Sequence, residues 1–319
     1  MVLNFVLLII GFIVLIYGAN FLVNGASSLA KRFKVSELAI GLTVVAFGTS
    51  TPELIVSAIS SVQGHNEVAF GNIIGSNIFN LYMILGCAGV IYPILVQSST
   101  VWKEIPYSLV AAILLFILAN DVWLFNTTEN VLSQMDGLIL LVFFAAFIWY
   151  VFVSIENDPA AADSPIKIYG LPKTIAFIAA GLAGLILGGK LVVDNAIEIA
   201  QTFGVSEKLI GLTIVAAGTS LPELATSVVA ALKNRSDIAI GNVVGSNIFN
   251  IFLILSICSL IKPIPYNPAM NQDILVVVIG TALLFIAMFA GKARKLDRWE
   301  AAVLLVAYMV YIGYLIKQG

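Results

Sequence analysis

Charged residues are scarce in this 319-residue chain. Lys, Arg, Asp and Glu make up 11% of it, whereas soluble domains carry about 25%. Hydrophobic residues account for 60% of the sequence, and the mean hydropathy is +1.04. The formal net charge of −2 offers no basic surface for a nucleic-acid partner. The composition therefore indicates an integral membrane protein.

Histidine and cysteine are also nearly missing. The chain has one histidine, His65, in a predicted loop, and two cysteines, Cys87 and Cys258, inside apolar runs. We expect the cysteines to pack as small apolar residues rather than to form a disulfide or a metal site. One loop histidine leaves little for zinc chemistry or histidine-based triads, and we expect no cofactor.

Apolar runs long enough to cross a bilayer occur ten times. The predicted spans are residues 3–23, 37–62, 68–91, 105–120, 136–154, 173–193, 207–232, 238–261, 274–291 and 299–317. The first run is too long for a signal peptide and lacks a basic segment before it, so we interpret it as a retained span. The sequence thus predicts an all-α membrane protein, with five spans in residues 1–154, a linker at 155–172 and five spans in 173–319.

Basic residues are distributed unevenly among the connections. The connections after spans 1, 3, 5, 7 and 9 hold 3, 1, 2, 2 and 4 of the 16 Lys and Arg residues, and the opposite side holds the other four. The positive-inside rule assigns the richer side to the cytoplasm. The linker would then be cytoplasmic, and both termini would lie outside.

The two halves of the chain repeat each other. When the sequence is shifted by 170 residues, residues 41–85 align with 211–255 without a gap, and 23 of these 45 positions are identical. Because each half has an odd number of spans, the second copy must enter the membrane inverted. Inverted repeats are typical of transporters that bind their substrate near the midplane, between the repeats.

Each copy places a helix breaker and a carboxylate inside an apolar run. "GTSTPE" occupies residues 48–53 and "GTSLPE" occupies 218–223. Proline interrupts the helical hydrogen bonds, and broken backbone is tolerated in a membrane only against protein or a polar cavity. A mid-membrane carboxylate costs roughly 2.5–3.5 kcal/mol and usually has a function. Glu53 and Glu223 are therefore the predicted centre of a site.

The next span of each half adds neutral oxygen ligands. "GNIIGSNIFN" (71–80) and "GNVVGSNIFN" (241–250) carry Asn, Ser and Asn at intervals of four, so these side chains share one helix face. The glycines at 71 and 75, and at 241 and 245, form small-xxx-small pairs that favour close helix packing.

Carboxylate, hydroxyl, amide and carbonyl oxygens suit Ca²⁺ and Na⁺. Two glutamates neutralise one divalent or two monovalent ions. Without such ions we expect protons to bind, because burial and like-charge repulsion disfavour two ionised carboxylates. These properties predict an antiporter.

In these motifs the sequence resembles the calcium/cation antiporter superfamily, and within it the prokaryotic sodium/calcium exchangers. The two alpha-repeats of that family look like residues 36–85 and 206–255 here. The resemblance implies backbone-carbonyl ligands at Ala46 and Ala216, and a gating pair formed by the first and sixth spans. It implies the following ligand side chains: Glu53, Glu223, Thr49, Ser50, Thr219, Ser220, Ser76, Asn80, Ser246 and Asn250.

Asn250 stands where some members of that family, including potassium-dependent exchangers, have Asp. Without a third carboxylate we expect K⁺-independent Na⁺/Ca²⁺ exchange. A Ca²⁺/H⁺ antiporter on the same fold is the alternative, since paired glutamates can also carry protons. The hydroxyls and amides favour Na⁺, which needs a coordination shell.

Other function classes have less support. An intramembrane enzyme could use the two carboxylates, but the chain has no His-Glu-x-x-His or Gly-x-Ser-x-Gly motif. A passive channel would need no counter-ion. We predict a transporter that is not an enzyme, with Ca²⁺, Na⁺ and the lipid bilayer as its partners and no obligatory protein partner.

Overall fold

The computed structural model describes residues 1–125, 128–155, 168–203, 216–290 and 294–318, and these are largely helical. The helices used below are α1 (Val2–Phe33), α2 (Glu37–Thr49), α3 (Thr51–Gln63), α4 (Val68–Ile91), α5 (Thr100–Ala119), α6 (Gln134–Ile155), α7 (Leu171–Thr202), α8 (Leu221–Leu232), α9 (Ser236–Ile261), α10 (Asn271–Ala287) and α11 (Arg298–Gln318).

Most of these helices are long and apolar enough to cross a membrane. Within the described ranges there are eight such helices, and a ninth span results if the bent pair α2–α3 counts as one. Helix α8 is shorter, and the predicted seventh span, 207–232, begins outside the described residues. The protein is therefore an all-helical, multi-pass membrane protein.

Several helices run past the apolar stretches that predicted them. Helix α1 continues to Phe33 rather than ending near residue 23, and α7 continues to Thr202. Lys31 and Arg32 occupy the last turn of α1, where positive charge is favoured by the helix dipole. Lys34 then ends the helix in the left-handed conformation, with a φ of 56°. Polar residues that suit a helix end thus extend the helix beyond its apolar run.

The predicted interruption at the first repeated motif is confirmed. Helices α2 and α3 meet at Ser50 with a bend of 47°. Pro52 lies in the first turn of α3, where its missing N–H leaves no helical hydrogen bond unmade. The second copy has the same arrangement, since Ser220 precedes α8 and Pro222 lies in its first turn. Each break thus exposes a helix N-terminus, and a glutamate follows directly.

Two short antiparallel sheets connect the first half of the chain to the second. Strand β1 (Ile94–Leu95) pairs with β4 (Lys295–Leu296), and β2 (Val131–Leu132) pairs with β3 (Ile264–Pro265). In each pair one strand comes from each half, so the two halves share both their helical core and their connecting segments.

Helices α4 and α9 form the centre of the molecule. In each of them 78% of the membrane-spanning window is buried, against 22% for α1 and 28% for α7. Both central helices widen into a π turn, at Phe79–Ile84 and at Asn250–Ile254. Most motif residues of α4 and α9 are therefore enclosed by protein, with Gly71 exposed and Asn72 and Gly75 half-buried, whereas α1 and α7 lie on the outside.

Helices α1 and α7 pack against each other through glycines. A Cβ atom added to Gly18 would lie 2.8 Å from the Leu185 nitrogen, and one added to Gly181 would lie 2.6 Å from the Leu22 nitrogen. Gly11, Gly25 and Gly188 make similar close approaches. The two backbones are therefore in direct contact at these glycines.

The glycine pairs of α4 and α9 are described to different extents. Gly241 and Gly245 pack tightly against α2, since a Cβ at Gly245 would lie 2.9 Å from the Leu42 carbonyl oxygen. For Gly71 and Gly75, no atom of the described residues lies within 4 Å of the Cβ position, and their close packing stays a prediction. Both line a cavity of about 450 Å³ beside α10 and α11. The residues that correspond to the α2 contacts, at 208 and 212, lie outside the described part of the chain.

The glycine contact between α1 and α7 yields a stability prediction. Gly181→Ala should lower the free energy of unfolding by about 1–3 kcal/mol, because its methyl group would overlap the Leu22 backbone. Gly313→Ala on α11 is the matched control, since nothing lies within 4 Å of its Cβ position. Thermal unfolding in detergent would measure both. Equal unfolding temperatures for the two variants would contradict the packing described here.

Candidate functional site

Glu53 and Glu223 meet in the centre of the molecule and are each 1% exposed. Each glutamate accepts a hydrogen bond from the serine of the other half. The Ser220 hydroxyl donates to Glu53 Oε1 at 2.9 Å, and the Ser50 hydroxyl donates to Glu223 Oε1 at 2.9 Å. Ser76 Oγ donates to Glu53 Oε1 at 3.4 Å. The residues that end α2 and precede α8 therefore hold both carboxylates across the interface between the halves.

Further oxygen atoms of the site are buried and have no hydrogen-bond partner among the residues that the structure describes. Buried polar atoms without a hydrogen-bond partner are exceptional in folded proteins. Here several lie within the two repeated motifs: Glu53 Oε2, Glu223 Oε2, Asn80 Oδ1, Asn250 Oδ1 and Ser246 Oγ. All five are hard oxygen atoms, and all can coordinate a dehydrated cation. This set therefore has the chemistry of a cation site.

The negative charge of the site comes from the two glutamates. Among the residues that the structure describes, no group of three or more His, Cys, Asp or Glu side chains could hold a metal ion. The site therefore combines a formal charge of at most −2 with neutral oxygens. Such a set suits ions that are bound and released, rather than a permanently held transition metal.

The threonines of the two motifs also reach across the interface. Thr49 Oγ1 donates to Asn242 Oδ1 at 2.9 Å, and Thr219 Oγ1 donates to Asn72 Oδ1 at 3.3 Å. The nitrogens of the two asparagines donate to serines of the preceding helices: Asn242 to Ser227 at 3.0 Å and Asn72 to Ser57 at 3.0 Å. These contacts are related by the 170-residue shift of the sequence repeat. The symmetry of the sequence is therefore a symmetry of side-chain contacts.

The structure gives more detail for one of the two predicted carbonyl ligands, Ala46, than for the other, Ala216. The carbonyl oxygen of Ala46 accepts from the Ser50 nitrogen at 3.0 Å and from Thr49 Oγ1 at 3.3 Å. Ala216 begins the short helical turn Ala216–Gly218. Assignment of either carbonyl as an ion ligand stays a prediction.

Asn77 and Asn247 were missed as site residues in the sequence analysis. Both are fully buried and bond to each other's main chain and to Asn250 and Asn80. They fall outside the four-residue spacing that identified their neighbours. The available signal was their identity within both "GSN" strings, next to Ser76 and Ser246.

Helix α7 covers the broken turns of both halves. A Cβ atom at Gly48 would lie 2.4 Å from Leu182, and one at Gly218 would lie 2.4 Å from Val193. Both of these apolar side chains belong to α7. The serine and glutamate pairs therefore lie close beneath one of the two outer helices.

Two further buried carboxylates lie elsewhere. Glu104 is 2% exposed and is bonded to the Tyr150 hydroxyl, and Glu300 is 5% exposed and accepts from the Asp297 nitrogen at 2.8 Å. Both stand near the starts of helices and carry no repeated motif. Burial alone therefore does not distinguish Glu53 and Glu223 from other carboxylates of the chain. Their position at the breaks of two repeated helices does.

Comparison with known proteins gave concordant results. The profile of the family described as "Sodium/calcium exchanger protein" matches residues 3–153 and 173–317. The chain is 30% identical to the sodium/calcium exchanger MaX1 of Methanosarcina acetivorans, with 97% of each chain covered. It is 35% identical to the inner membrane protein YrbG of Escherichia coli, with 91% of this chain and 89% of that protein covered. A structure of the sodium-calcium exchanger NCX_Mj superposes with a TM-score of 0.84 at 34% identity, with 98% of this chain and 99% of that chain covered.

The crossed hydrogen bonds predict which substitutions are energetically coupled. Ser50→Ala and Glu223→Leu remove the two ends of one hydrogen bond, so the double variant should lose about 0.5–3 kcal/mol less stability than the sum of the single variants. Ser220→Ala with Glu53→Leu should show the same coupling. Ser50→Ala with Glu53→Leu, which share no side-chain hydrogen bond, is the control. Stronger coupling in that control pair would contradict the crossed arrangement.

Proposed function

Since the chain belongs to the sodium/calcium exchanger protein family, we propose that it is an antiporter that exchanges Na⁺ for Ca²⁺ by alternating access. The observation that carries the proposal is the pair of buried glutamates, each held by the serine of the other half. Their second oxygens, together with those of Asn80 and Asn250, are buried acceptors without protein donors. They form the proposed ion-binding centre between Glu53 and Glu223.

The proposed ligands are the side chains that the resemblance implied. Ser76 and Ser246 complete the oxygen set on α4 and α9, and Ser76 already contacts Glu53. Thr49 and Thr219 are the least direct members, because in this structure their hydroxyls donate to asparagines of the opposite half. The carbonyls of Ala46 and Ala216 remain part of the proposed set.

Two carboxylates neutralise one Ca²⁺ or two Na⁺. If three Na⁺ exchange for one Ca²⁺, as in the resemblance, the third Na⁺ must be held by neutral oxygens. Each cycle then moves one net charge, so the membrane potential contributes about 2.3 kcal/mol per 100 mV. Because no third carboxylate stands at position 250, we propose that the exchange is independent of K⁺.

We also propose the finer architecture that the exchange requires. Ten spans form two inverted five-helix halves, residues 1–154 and 173–319, joined by a cytoplasmic linker at 155–172, with both termini outside the cell membrane. Contacts related by the 170-residue shift support the repeat, and the distribution of basic residues supports the orientation.

Helices α1 and α7 are the proposed moving pair. They contact each other along glycines, expose much of their surface, and cover the broken turns only through apolar side chains such as Leu182 and Val193. No hydrogen bond within the described residues ties them to the glutamates. Movement of this pair can therefore change access from one side of the membrane to the other while the ion ligands stay together.

A flux experiment tests the function. Proteoliposomes loaded with Na⁺ and diluted into K⁺ or choline medium should take up labelled Ca²⁺, and Glu53→Gln or Glu223→Gln should abolish the uptake. Glu104→Gln, a buried carboxylate outside the site, is the matched control and should retain it. Uptake that ignores Na⁺ but follows an imposed pH gradient would support the Ca²⁺/H⁺ alternative instead. No uptake under either gradient, by protein that is folded and inserted, would refute antiport.

The proposed K⁺ independence has its own test. Asn250→Asp adds a carboxylate to the site, so the sensitivity of Ca²⁺ uptake to K⁺ or to pH should change. Asn80→Asp, at the corresponding position of the first half, shows whether the effect depends on which half carries the charge. Cation dependence that is unchanged in Asn250→Asp would remove the assignment of position 250 as an ion ligand.

A further inference from the structure

Asn77 and Asn247 form a closed amide network at the centre of the molecule. Asn77 Nδ2 donates to the Asn247 carbonyl oxygen at 3.3 Å, and Asn247 Nδ2 donates to the Asn77 carbonyl oxygen at 3.4 Å. Asn250 Nδ2 donates to Asn77 Oδ1 at 2.9 Å, and Asn80 Nδ2 donates to Asn247 Oδ1 at 3.0 Å. The four side chains are 0–1% exposed. The hydrogen bonds therefore form two chains between α4 and α9. One runs from Asn250 through Asn77 to the Asn247 carbonyl, and the other runs from Asn80 through Asn247 to the Asn77 carbonyl.

The network fixes which end of each amide points where. An amide can usually be turned by 180° with little change of shape, so its orientation depends on its partners. A main-chain carbonyl can only accept, so the nitrogens of Asn77 and Asn247 must face the carbonyls. Their oxygens then face Asn250 and Asn80, which must present their nitrogens in return. The orientation of the whole network follows from two backbone groups.

The consequence lies at the far ends of the network. With their nitrogens engaged, Asn80 and Asn250 direct their oxygens elsewhere, and both oxygens are buried with no donor in the described part of the chain. Asn80 lies one helical turn after Ser76, which contacts Glu53. An amide in the opposite orientation would present an N–H₂ group, which repels a cation. Only the observed orientation offers two more oxygens to an ion.

We propose that Asn77 and Asn247 are positioning residues of the ion site, which act by holding the oxygens of Asn250 and Asn80 toward the transported ions. The inference rests on the proposed function, because it concerns the ligands of the same site. The two residues do not touch the ions themselves. An amide pair that only joins two helices would not affect the ion ligands. Asn77 and Asn247, in contrast, determine that Asn250 and Asn80 present their amide oxygens, and not their NH₂ groups, to the ions.

The decisive measurement is a double-mutant cycle on ion affinity. Asn77→Leu should raise the half-saturating Ca²⁺ and Na⁺ concentrations about tenfold or more, as loss of a group that orients a ligand does at metal sites. In an Asn250→Leu background the same substitution should cause little further change, because the ligand it orients is gone. Asn247→Leu and Asn80→Leu form the corresponding cycle of the other half.

Asn120→Leu is the matched control. Buried Asn120, just after α5, and half-buried Asn271, at the start of α10, form an amide pair of their own with two hydrogen bonds of 2.8 Å. Its loss should lower the unfolding temperature without changing the half-saturating ion concentrations. Ion-induced shifts of the unfolding temperature give a second readout that does not require transport, and they report on variants too slow for flux measurements.

The possible outcomes distinguish a failure of the positioning role from a failure of the proposed antiport function. Wild-type exchange that depends on Glu53 and Glu223, with ion affinities unchanged in Asn77→Leu, overturns the positioning role and leaves the antiporter intact. Equal affinity losses from Asn77→Leu in the wild-type and Asn250→Leu backgrounds also overturn it, since they indicate a general structural role. Absence of ion-dependent flux in the wild type overturns both proposals, and that result is read from the wild type alone.

Discussion

The structure depends on one constraint: two carboxylates lie in the centre of an apolar bundle, and each must be stabilised there. A buried, unpaired carboxylate is among the costliest groups in a membrane protein. The chain meets this constraint by a hydrogen bond from the opposite half, from Ser220 to Glu53 and from Ser50 to Glu223. Within its own half, Glu53 also accepts a longer hydrogen bond from Ser76, at 3.4 Å. The halves must therefore stay together for the site to exist, and the inter-half strands and the amides of α4 and α9 reinforce the same interface.

The local backbone follows from the same constraint. A serine can reach across the interface only if the helix that carries it stops there, and both chain segments stop at the residue before the Thr-Pro-Glu or Leu-Pro-Glu step. The break turns a helix N-terminus, with its free N–H groups, toward the region where the glutamates lie. Proline costs nothing in this first turn. Each motif therefore ends one helix and begins the next, and it supplies a serine hydroxyl donor and a glutamate carboxylate at the junction.

Much of this could be predicted from sequence, because a duplicated polar string in an apolar run has few physical explanations. The spans, the breaks and the central glutamates follow from hydropathy, proline geometry and the repeat. The sequence repeat does not show which residue of the opposite half each motif residue contacts. The crossing of Ser50 to Glu223 depends on how the halves pack. So does the contact of Asn77 with Asn247, because Asn77 lies one residue off the face that periodicity selects. Helix ends such as that of α1 were placed too early, because hydropathy detects the membrane-embedded part of a helix and not its polar continuation.

A site held by reciprocal bonds restricts how access to it can alternate. If either half moved away from the other, each carboxylate would lose its serine donor from the opposite half, and the amide network would open. Opening of the interface between the halves would therefore expose two uncompensated charges. The proposed movement of helices α1 and α7 avoids this cost, since they contact each other through glycine backbones and α7 covers the broken turns with Leu182 and Val193. Sliding of this pair would leave the serine–glutamate hydrogen bonds and the amide network in place. The arrangement that stabilises the carboxylates thus favours, for the proposed antiporter, movement of the outer helices over separation of the halves.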